Sequence, residues 1–301
     1  MLTQLKNQGA FTKADIDAVN MNFNITGWQA YGVSVFGKIF SVDPVNGDNT
    51  SGDGTPELPV RTLTRAHDLC VSGRGDAIVA QAGDYAETLV ISKDYVTLIG
   101  GTVGGYARPD LRTPTSGQNT LTVTGQGFVL VHVRMAARAG DCCVQRGNGF
   151  LHVDNVYDGD ATAAKAGLRL LPSDTDTKKT ASEGRVTDSL FRGCANGILF
   201  DTGAAPAVGV GSTDNVISGN RFYTNTLDLA TADAGGAVYS VQNTVIGPGN
   251  QFMDKLKATY IDLTTTNGGA AGDQSGSIFD NTFAIDAGGV TGDTGAVAAL
   301  G

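Results

Sequence analysis

From about residue 77 onward, apolar residues occur in short runs separated by small and polar residues. Each run holds three to five residues, and in runs such as 168–170 and 227–229 apolar and polar side chains alternate with a period of two. Runs this short do not make helices, and the period of two predicts β-strands. Clear examples are the runs at residues 77–80, 89–91, 96–99, 168–170, 198–200, 227–229 and 260–263.

A second pattern repeats in step with these strands. Asp or Gly (Asp again in the fifth copy) is followed by Asn or Ser, then any residue, then an aromatic residue. The Asn/Ser position falls at Asn155, Ser189, Asn220, Asn250 and Asn281, and the aromatic position at Tyr157, Phe191, Phe222, Phe252 and Phe283. The steps between the polar positions are 34, 31, 30 and 31 residues, and a nearly constant period in this range is typical of repeat architectures.

Strands repeated at this period predict an all-β parallel β-helix, in which two or three strands form each turn and each turn packs on the next. We expect the Asn/Ser column to form an internal ladder at one corner, with each amide bonded to those above and below it. We expect the aromatic column to stack in the same direction.

The first 42 residues differ from this repeat and predict a docking segment. A capping-box-like start at Thr12 precedes apolar residues at helical spacing, which predicts a short amphipathic helix. The next window, at residues 28–42, is the most aromatic in the chain, and it fits either a strand pair packed on the first turn or an attachment surface for another protein. The attachment residues would be Phe23, Trp28, Tyr31, Phe36 and Phe40.

Three further segments complete the predicted organisation. Residues 43–59 are rich in Asp, Asn, Gly and Pro but lack the glutamate that an EF-hand requires, so we expect a turn-rich loop. A helix at about residues 61–72 would cover the open end of the coil, where an exposed strand edge would promote aggregation. The β-helix would span residues 43–290, and residues 291–301 would form a tail.

Composition and charge restrict the partners. The 301-residue chain has a formal net charge of −9, which argues against nucleic acid. We expect no secretory signal at the N-terminus, and no run approaches the ~20 apolar residues of a membrane span. Four cysteines without a CxxC pair suit buried thiols rather than a zinc site, so no metal or cofactor is expected.

One stretch carries a family resemblance. The segments Pro-Val-Arg-Thr-Leu at 59–63, Gly-Asp-Ala-Ile-Val-Ala at 75–80, Gly-Asp-Tyr at 83–85, Glu-Thr-Leu-Val-Ile at 87–91 and Val-Thr-Leu-Ile-Gly-Gly at 96–101 resemble the entry to right-handed parallel β-helices of the pectate-lyase-like superfamily. The resemblance implies a single-stranded right-handed β-helix. That superfamily includes polysaccharide lyases and hydrolases, phage tailspikes and inactive relatives, so no catalytic residues can be carried over from it.

Candidate chemistry is sparse. Loops at 172–185, 201–214, 231–243 and 264–277 follow the second strand of each repeat, so we expect them on one side of the coil. The best-charged group in them could supply an acid/base pair or be merely solvated, and it comprises Asp174, Asp176, Lys178, Lys179, Glu183, Arg185 and Asp188. His132 and His152 are expected to stack on an exterior face with Arg134 over Asp154, as a surface ladder rather than a metal site.

Three hypotheses about function follow. The first is a structural virion protein of a tailed phage, a spike, fibre or capsid-decorating homotrimer that docks on other virion proteins through its N-terminal segment and meets host surface polysaccharide. The second is a polysaccharide lyase or hydrolase, acting as a depolymerase. The third is a glycan-binding adhesin without turnover. Catalytic residues are not identifiable from the sequence.

Overall fold

The structure is a computed structural model that describes residues 36–101, 107–159, 165–173, 176, 178–202, 210–232, 239–253, 259–262, 278–279, 282–283 and 289–291. The helix is α1, Leu63–Leu69. The strands of the first half are β1 Ile39–Val42, β2 Ala77–Gln81, β3 Gly83–Tyr85, β4 Leu89–Ile91, β5 Thr97–Gly101, β6 Pro109–Arg112, β7 Leu121–Val123, β8 Val129–Val131, β9 Arg134–Ala137, β10 Cys143–Gln145, β11 Leu151–Val153, β12 Val156–Gly159 and β13 Ala166–Leu170. Those of the second half are β14 Arg185–Thr187, β15 Leu190–Arg192, β16 Asn196–Asp201, β17 Val210–Thr213, β18 Val216–Ser218, β19 Arg221–Tyr223, β20 Leu227–Ala232, β21 Tyr239–Gln242, β22 Val245–Ile246, β23 Gln251–Phe252, β24 Thr259–Asp262, β25 Ile278–Phe279, β26 Thr282–Phe283 and β27 Gly289–Thr291.

Three long parallel sheets carry the fold. Sheet A has the order β1-β2-β5-β8-β11-β14-β18-β22-β25, sheet B runs from β3 to β26, and sheet C runs from β4 to β27. From β2 onward the chain visits A, then B, then C in every turn, and β17 and β21 pair in a small extra sheet on two of the connections from C to A. The prediction of an all-β parallel β-helix is confirmed, with three strands in each turn.

The interior holds one continuous apolar core, and an aromatic stack runs through it. Tyr157, Phe191, Phe222 and Phe252 are fully buried on sheet B. Their ring centroids follow one another at 4.4, 5.1 and 5.0 Å, with interplanar angles of 12° or less. The backbone register places Phe283 beside Phe252 in the same column.

The polar column lies at the corner between sheets A and B, and it bonds mainly to the main chain. Asn220 Oδ1 accepts from the Ser189 N–H at 3.0 Å, and Asn220 Nδ2 donates to the Val186 carbonyl at 2.9 Å. Asn155 and Asn250 make equivalent bonds to the preceding turn, and Ser189 Oγ accepts from the Asn155 N–H. An amide-to-amide bond, the expected arrangement, joins Asn220 Nδ2 to Asn250 Oδ1 at 3.2 Å.

The corner geometry explains why main-chain groups take these bonds. The residue before each polar position has a positive φ, namely 52° at Asp154, 54° at Asp188 and 67° at Gly219. That left-handed residue turns the chain out of the strand, so the adjacent N–H and C=O groups would otherwise lack ladder partners. The buried amide or hydroxyl supplies those partners. Asn281 lies outside the described residues.

Helix α1 packs against β1, β2 and β4 and is fixed at both ends by charged side chains. Thr62 is its N-cap, and the Glu87 carboxylate accepts the N–H groups of Leu63 and Thr64 at 2.8 and 2.9 Å. At the other end, Lys93 Nζ donates to the carbonyls of His67, Asp68 and Cys70 at 2.7, 2.8 and 2.6 Å. The helix lies within the predicted range of about 61–72 and contributes Leu63 and Ala66 to the core.

Replacing Lys93 by methionine should lower the free energy of unfolding by about 1–2 kcal/mol, because three helix carbonyls lose a charged donor. Urea denaturation measures the change. Lys38→Met, at an exposed position, is the matched control and should leave the unfolding free energy unaltered. Equal effects of the two substitutions would show that Lys93 does not hold the helix.

The predicted boundary between the docking segment and the β-helix is wrong at residues 39–42. β1 pairs with β2, so Ile39–Val42 belongs to sheet A rather than to a docking segment. Phe40, predicted as an attachment residue, is only 7% exposed and packs in the core, whereas Phe36 is 86% exposed. Phe23, Trp28, Tyr31 and the predicted amphipathic helix lie outside the described residues, as do residues 292–301.

Candidate functional site

The long loops occupy equivalent places in the coil. Residues 172–185, 201–214 and 231–243 all connect sheet C to sheet A, and residues 264–277 lie outside the described part. The described members of the predicted acid/base group bond to their own loop or to a strand end. Lys179 Nζ donates to the Thr124 carbonyl at 2.7 Å, Asp176 Oδ1 accepts from the Lys178 N–H, and Asp188 Oδ2 accepts from Thr187 Oγ1. None of these bonds pairs two carboxyl groups.

The predicted exterior histidine ladder is wrong. His152 pairs with Leu130 in register, so it points into the core, where its Nδ1 lies 2.6 Å from the Tyr157 hydroxyl. Burial lowers the pKa of His152 to about 3. His132 lies at the A–B corner with φ 59°, and its Nδ1 is 2.7 Å from Asp154 Oδ2.

Arg134 also differs from its expected place. It contacts Asp110 and Asp158 on the outer face of sheet B, and Arg108 contacts Asp154 instead. The error in both cases is the assumed turn length, because the register between β8 and β11 is 22 residues rather than 20. A shift of this kind changes which residues are neighbours on adjacent turns.

A carboxylate pair that the sequence did not reveal lies on sheet C. Asp141 precedes β10, Arg169 lies within β13 and Asp201 ends β16, so three successive strands of one sheet bring them together. Arg169 Nε is 2.8 Å from Asp201 Oδ2, and Arg169 Nη2 contacts the same oxygen. Arg169 Nη1 lies 3.4 Å from Asp141 Oδ2. One guanidinium therefore bridges two carboxyl groups.

Burial sets the electrostatics of this site. The Asp141 side chain is only 2% exposed, and its Oδ1 accepts from the Ala166 N–H at 2.9 Å. Burial raises the pKa of Asp141, although Arg169 opposes the rise. Burial alone would lower the pKa of Arg169, but the charges of Asp201 and Asp141 raise it. The Arg169 side chain keeps 27% of its surface exposed, so the cluster is accessible through the guanidinium.

This arrangement combines a carboxyl group whose proton is held more tightly than usual with a second carboxylate paired to an arginine. When two neighbouring carboxyl groups have different surroundings, their pKa values differ, and one can act as an acid and the other as a base. The cluster therefore places two carboxyl groups in different surroundings on one guanidinium.

Sequence reasoning missed this cluster because its members are 28 and 32 residues apart and share no local motif. The available signal was the period itself, since each step is close to one turn. Two corner asparagines were missed for the same reason. Asn215 and Asn225, each five residues from Asn220, accept the N–H groups of Gly184 and Cys194 at the other two corners of that turn.

Other site types find no support in the described residues. No group of three His, Cys, Asp or Glu side chains is placed to hold a metal ion there. The four cysteines are unpaired and buried, and burial raises the pKa of Cys70 to about 12. Within the described ranges, no helix has the length and apolar character needed to cross a membrane.

Comparisons with known proteins identify the fold. No family model matches the sequence, and no curated protein matches it. Among solved structures, a rhamnogalacturonan lyase is similar with a TM-score of 0.51 and 16% identity, covering 82% of this chain and 67% of that one. Escherichia coli YbhC has a TM-score of 0.53 and 12% identity, covering 83% and 72%.

A pectate lyase is also similar, with a TM-score of 0.41 and 15% identity, covering 90% of this chain and 83% of that one. The similarities to the rhamnogalacturonan lyase and to YbhC support the parallel β-helix fold. The relation to phage tailspikes, the virion location, the homotrimer and the predicted virion and host partners stay predictions.

Proposed function

We propose that this protein hydrolyses a polysaccharide at the outer face of sheet C. The observation that carries the proposal is the bridge from Arg169 to both Asp141 and Asp201. Glycoside hydrolases use two carboxyl groups roughly 5–9.5 Å apart, and here two carboxyl groups contact a single guanidinium. The β-helix shared with a rhamnogalacturonan lyase adds support, because that protein is named for action on a polysaccharide.

Each residue has a distinct role in the proposed reaction. Asp141 donates its proton to the oxygen that leaves with one half of the polymer. Asp201 accepts a proton from the attacking water, whose oxygen forms the new bond to the sugar carbon as the glycosidic bond breaks. Arg169 orients both carboxyl groups and offers its exposed surface to the substrate. Because burial raises the pKa of Asp141, activity should fall as the pH rises through that pKa.

The test is an assay of the full-length protein on a panel of plant and bacterial polysaccharides. Hydrolysis produces new reducing ends without unsaturated sugars, whereas a lyase produces unsaturated ends. We expect Asp141→Asn and Asp201→Asn each to reduce the rate about a hundredfold, a typical contribution of general acid–base catalysis. Asp154→Asn is the control, since Asp154 is likewise a carboxylate paired with an arginine but lies outside sheet C.

Two results would count against the proposal. Equal loss of activity in Asp154→Asn would show that the effect comes from general destabilisation. Full activity in folded Asp141→Asn and Asp201→Asn variants, or no product from any polymer by either readout, would remove sheet C as a catalytic site. Circular dichroism and urea unfolding of each variant establish that it is folded.

A further inference from the structure

Two of the four cysteines lie at the same corner of the coil. Cys142 stands between β9 and β10, and Cys194 stands between β15 and β16, so both are at the corner between sheets B and C, two turns apart. Cys142 is fully buried and Cys194 is 2% exposed. Neither thiol takes part in the proposed hydrolysis.

The turn between the two cysteines brings their sulfur atoms to the same place. Strand β12 lies between β9 and β15 in sheet B, and its last residues are Asp158 and Gly159. Cys142 Sγ lies 3.5 Å from the Asp158 carbonyl oxygen. Cys194 Sγ is so close to Gly159 that a Cβ atom added there would be 2.9 Å from the sulfur. The two thiols therefore reach the same end of β12 from opposite sides.

The two thiols also contact each other. Their side chains form a hydrogen bond, and this bond together with burial raises the pKa of Cys142 well above its usual range. Glycine at position 159 keeps the space open, because a larger side chain there would collide with Cys194 Sγ and with the Gly193 carbonyl. A disulfide needs its sulfur atoms at about 2.05 Å, and two hydrogen-bonded thiols have only the remaining gap to close.

The other two cysteines have different surroundings. Cys143 is next to Cys142 in the sequence, but it lies in β10 and packs in the core beside leucines of β7 and β13. Cys70 is at the end of helix α1, where its Sγ donates to the Ala66 carbonyl at 3.4 Å. The chain therefore contains one thiol pair and two thiols that serve as buried packing residues.

We propose that Cys142 and Cys194 are a site of reversible oxidation, at which a small-molecule disulfide such as glutathione disulfide joins them in a disulfide bond. One cysteine sulfur attacks the oxidant, whose S–S bond breaks, and the first glutathione leaves. The second cysteine sulfur attacks the mixed disulfide and releases the second glutathione. The protein loses two electrons and two protons, and these convert one glutathione disulfide into two glutathione thiols.

The disulfide would link two turns that have no strand pairing with each other. Strands β12 and β13 separate them, since β9 and β15 both pair with β12, and β10 and β16 both pair with β13. A direct link restricts the unfolded chain and so stabilises the folded one. The stability of this part of the coil would then be lower in a reducing environment and higher in an oxidising one. Because both thiols are buried, we expect the folded protein to react slowly.

The test begins with the full-length protein, unfolded in urea and refolded in glutathione buffers with an increasing oxidised fraction. Prolonged incubation of the native protein in the same buffers replaces refolding if the yield is poor. After denaturation and alkylation, we expect label on Cys70 and Cys143 and a peptide pair linked through Cys142 and Cys194 in the mass spectrum. Compared with protein reduced by dithiothreitol, the oxidised protein should have an unfolding equilibrium constant roughly a hundredfold smaller.

Cys194→Ala removes one member of the pair without altering Cys142, which adjoins Asp141. It should leave three alkylated cysteines, and the oxidant should not change its urea unfolding. Cys194→Ser takes its place if that variant does not fold. Cys143→Ala is the matched control, because it removes the neighbouring buried thiol and should keep both the cross-link and the stabilisation.

Several outcomes would overturn the proposal. They are four alkylated cysteines in the most oxidising buffer, a linked peptide that contains Cys143 or Cys70, a disulfide between two chains, or glutathione held on one cysteine without closure of the pair. A cross-linked protein that unfolds at the same urea concentration as the reduced protein would also contradict it. None of these results bears on the assay of Asp141 and Asp201, so the two proposals can fail separately.

Discussion

Lowering the pH from 7 to 4 should destabilise the protein by roughly 3 kcal/mol through a single interior side chain, His152. In the folded protein burial lowers the pKa of His152 from 6.5 to about 3. Between these two values the unfolded chain binds a proton that the folded chain does not, so the free energy of unfolding falls as the pH falls. The loss begins near pH 6.5 and is complete near pH 3.

The surroundings of His152 explain the size of the effect. Its ring is fully buried, packs edge-on against Phe128 and Phe150, and bonds to the Tyr157 hydroxyl. Nothing among these neighbours carries a negative charge that could compensate an imidazolium. Protonation must therefore occur with unfolding or local opening.

The matched variant replaces both polar partners, His152→Phe together with Tyr157→Phe, so that neither leaves an unpaired polar atom. Urea unfolding at pH 7 and pH 4 should show the wild type losing roughly 3 kcal/mol more than this variant. His67, whose pKa is lowered by burial, and Asp141, whose pKa is raised by burial, titrate in both proteins and cancel. The control His132→Gln should keep the acid sensitivity. An unchanged pH dependence in the double variant would show that His152 does not cause the loss of stability at low pH.

Replacing Asn220 by leucine should cost about 3–5 kcal/mol of unfolding free energy. The substitution leaves the Ser189 N–H and the Val186 carbonyl buried without partners, at ~1–3 kcal/mol each, and removes the bond from Asn220 Nδ2 to Asn250 Oδ1. Asn220→Ser should cost less, because Ser189 shows that a hydroxyl can serve at this corner.

Chemical denaturation gives the values for Asn220. The neighbouring Gln251→Leu makes the same polar-to-apolar change at an exposed position of sheet B and should stay within about 0.5 kcal/mol of the wild type. If Asn220→Leu behaves like Gln251→Leu, the corner bonds do not contribute to stability. If Asn220→Ser is as damaging as the leucine variant, the shape of the amide matters more than its bonds.

The features that could be predicted from the sequence were residues that recur at a fixed distance along the chain from each strand. The column of Asn155, Ser189, Asn220 and Asn250 and its aromatic partner column defined the period, and the period defined the fold. Helix α1 was visible for a different reason, since its apolar face has helical spacing. These patterns are local, so they can be recognised without knowledge of the strand register.

Side-chain contacts that depend on the register between adjacent strands could not be predicted from the sequence. His152 was placed on the surface because it was paired with His132, which lies at a corner after β8, whereas the register makes the buried Leu130 its neighbour. Asp141, Arg169 and Asp201 meet across three turns of different length, so no single offset connects them. Phe40 was predicted to lie on the surface, but it pairs with Ile78 in sheet A and belongs to the first turn.

The corner bonds have a consequence for how such a protein can change over generations. The hydrogen bonds of Asn220 to described residues go to the turns directly before and after its own, and equivalent bonds recur at Asn155 and Asn250. Duplication or loss of one complete repeat would therefore reproduce these corner hydrogen bonds at the new junction. The number of repeats can therefore change during evolution while the corner bonds are kept. Each added repeat also adds a new row of outward-facing residues on which selection can act.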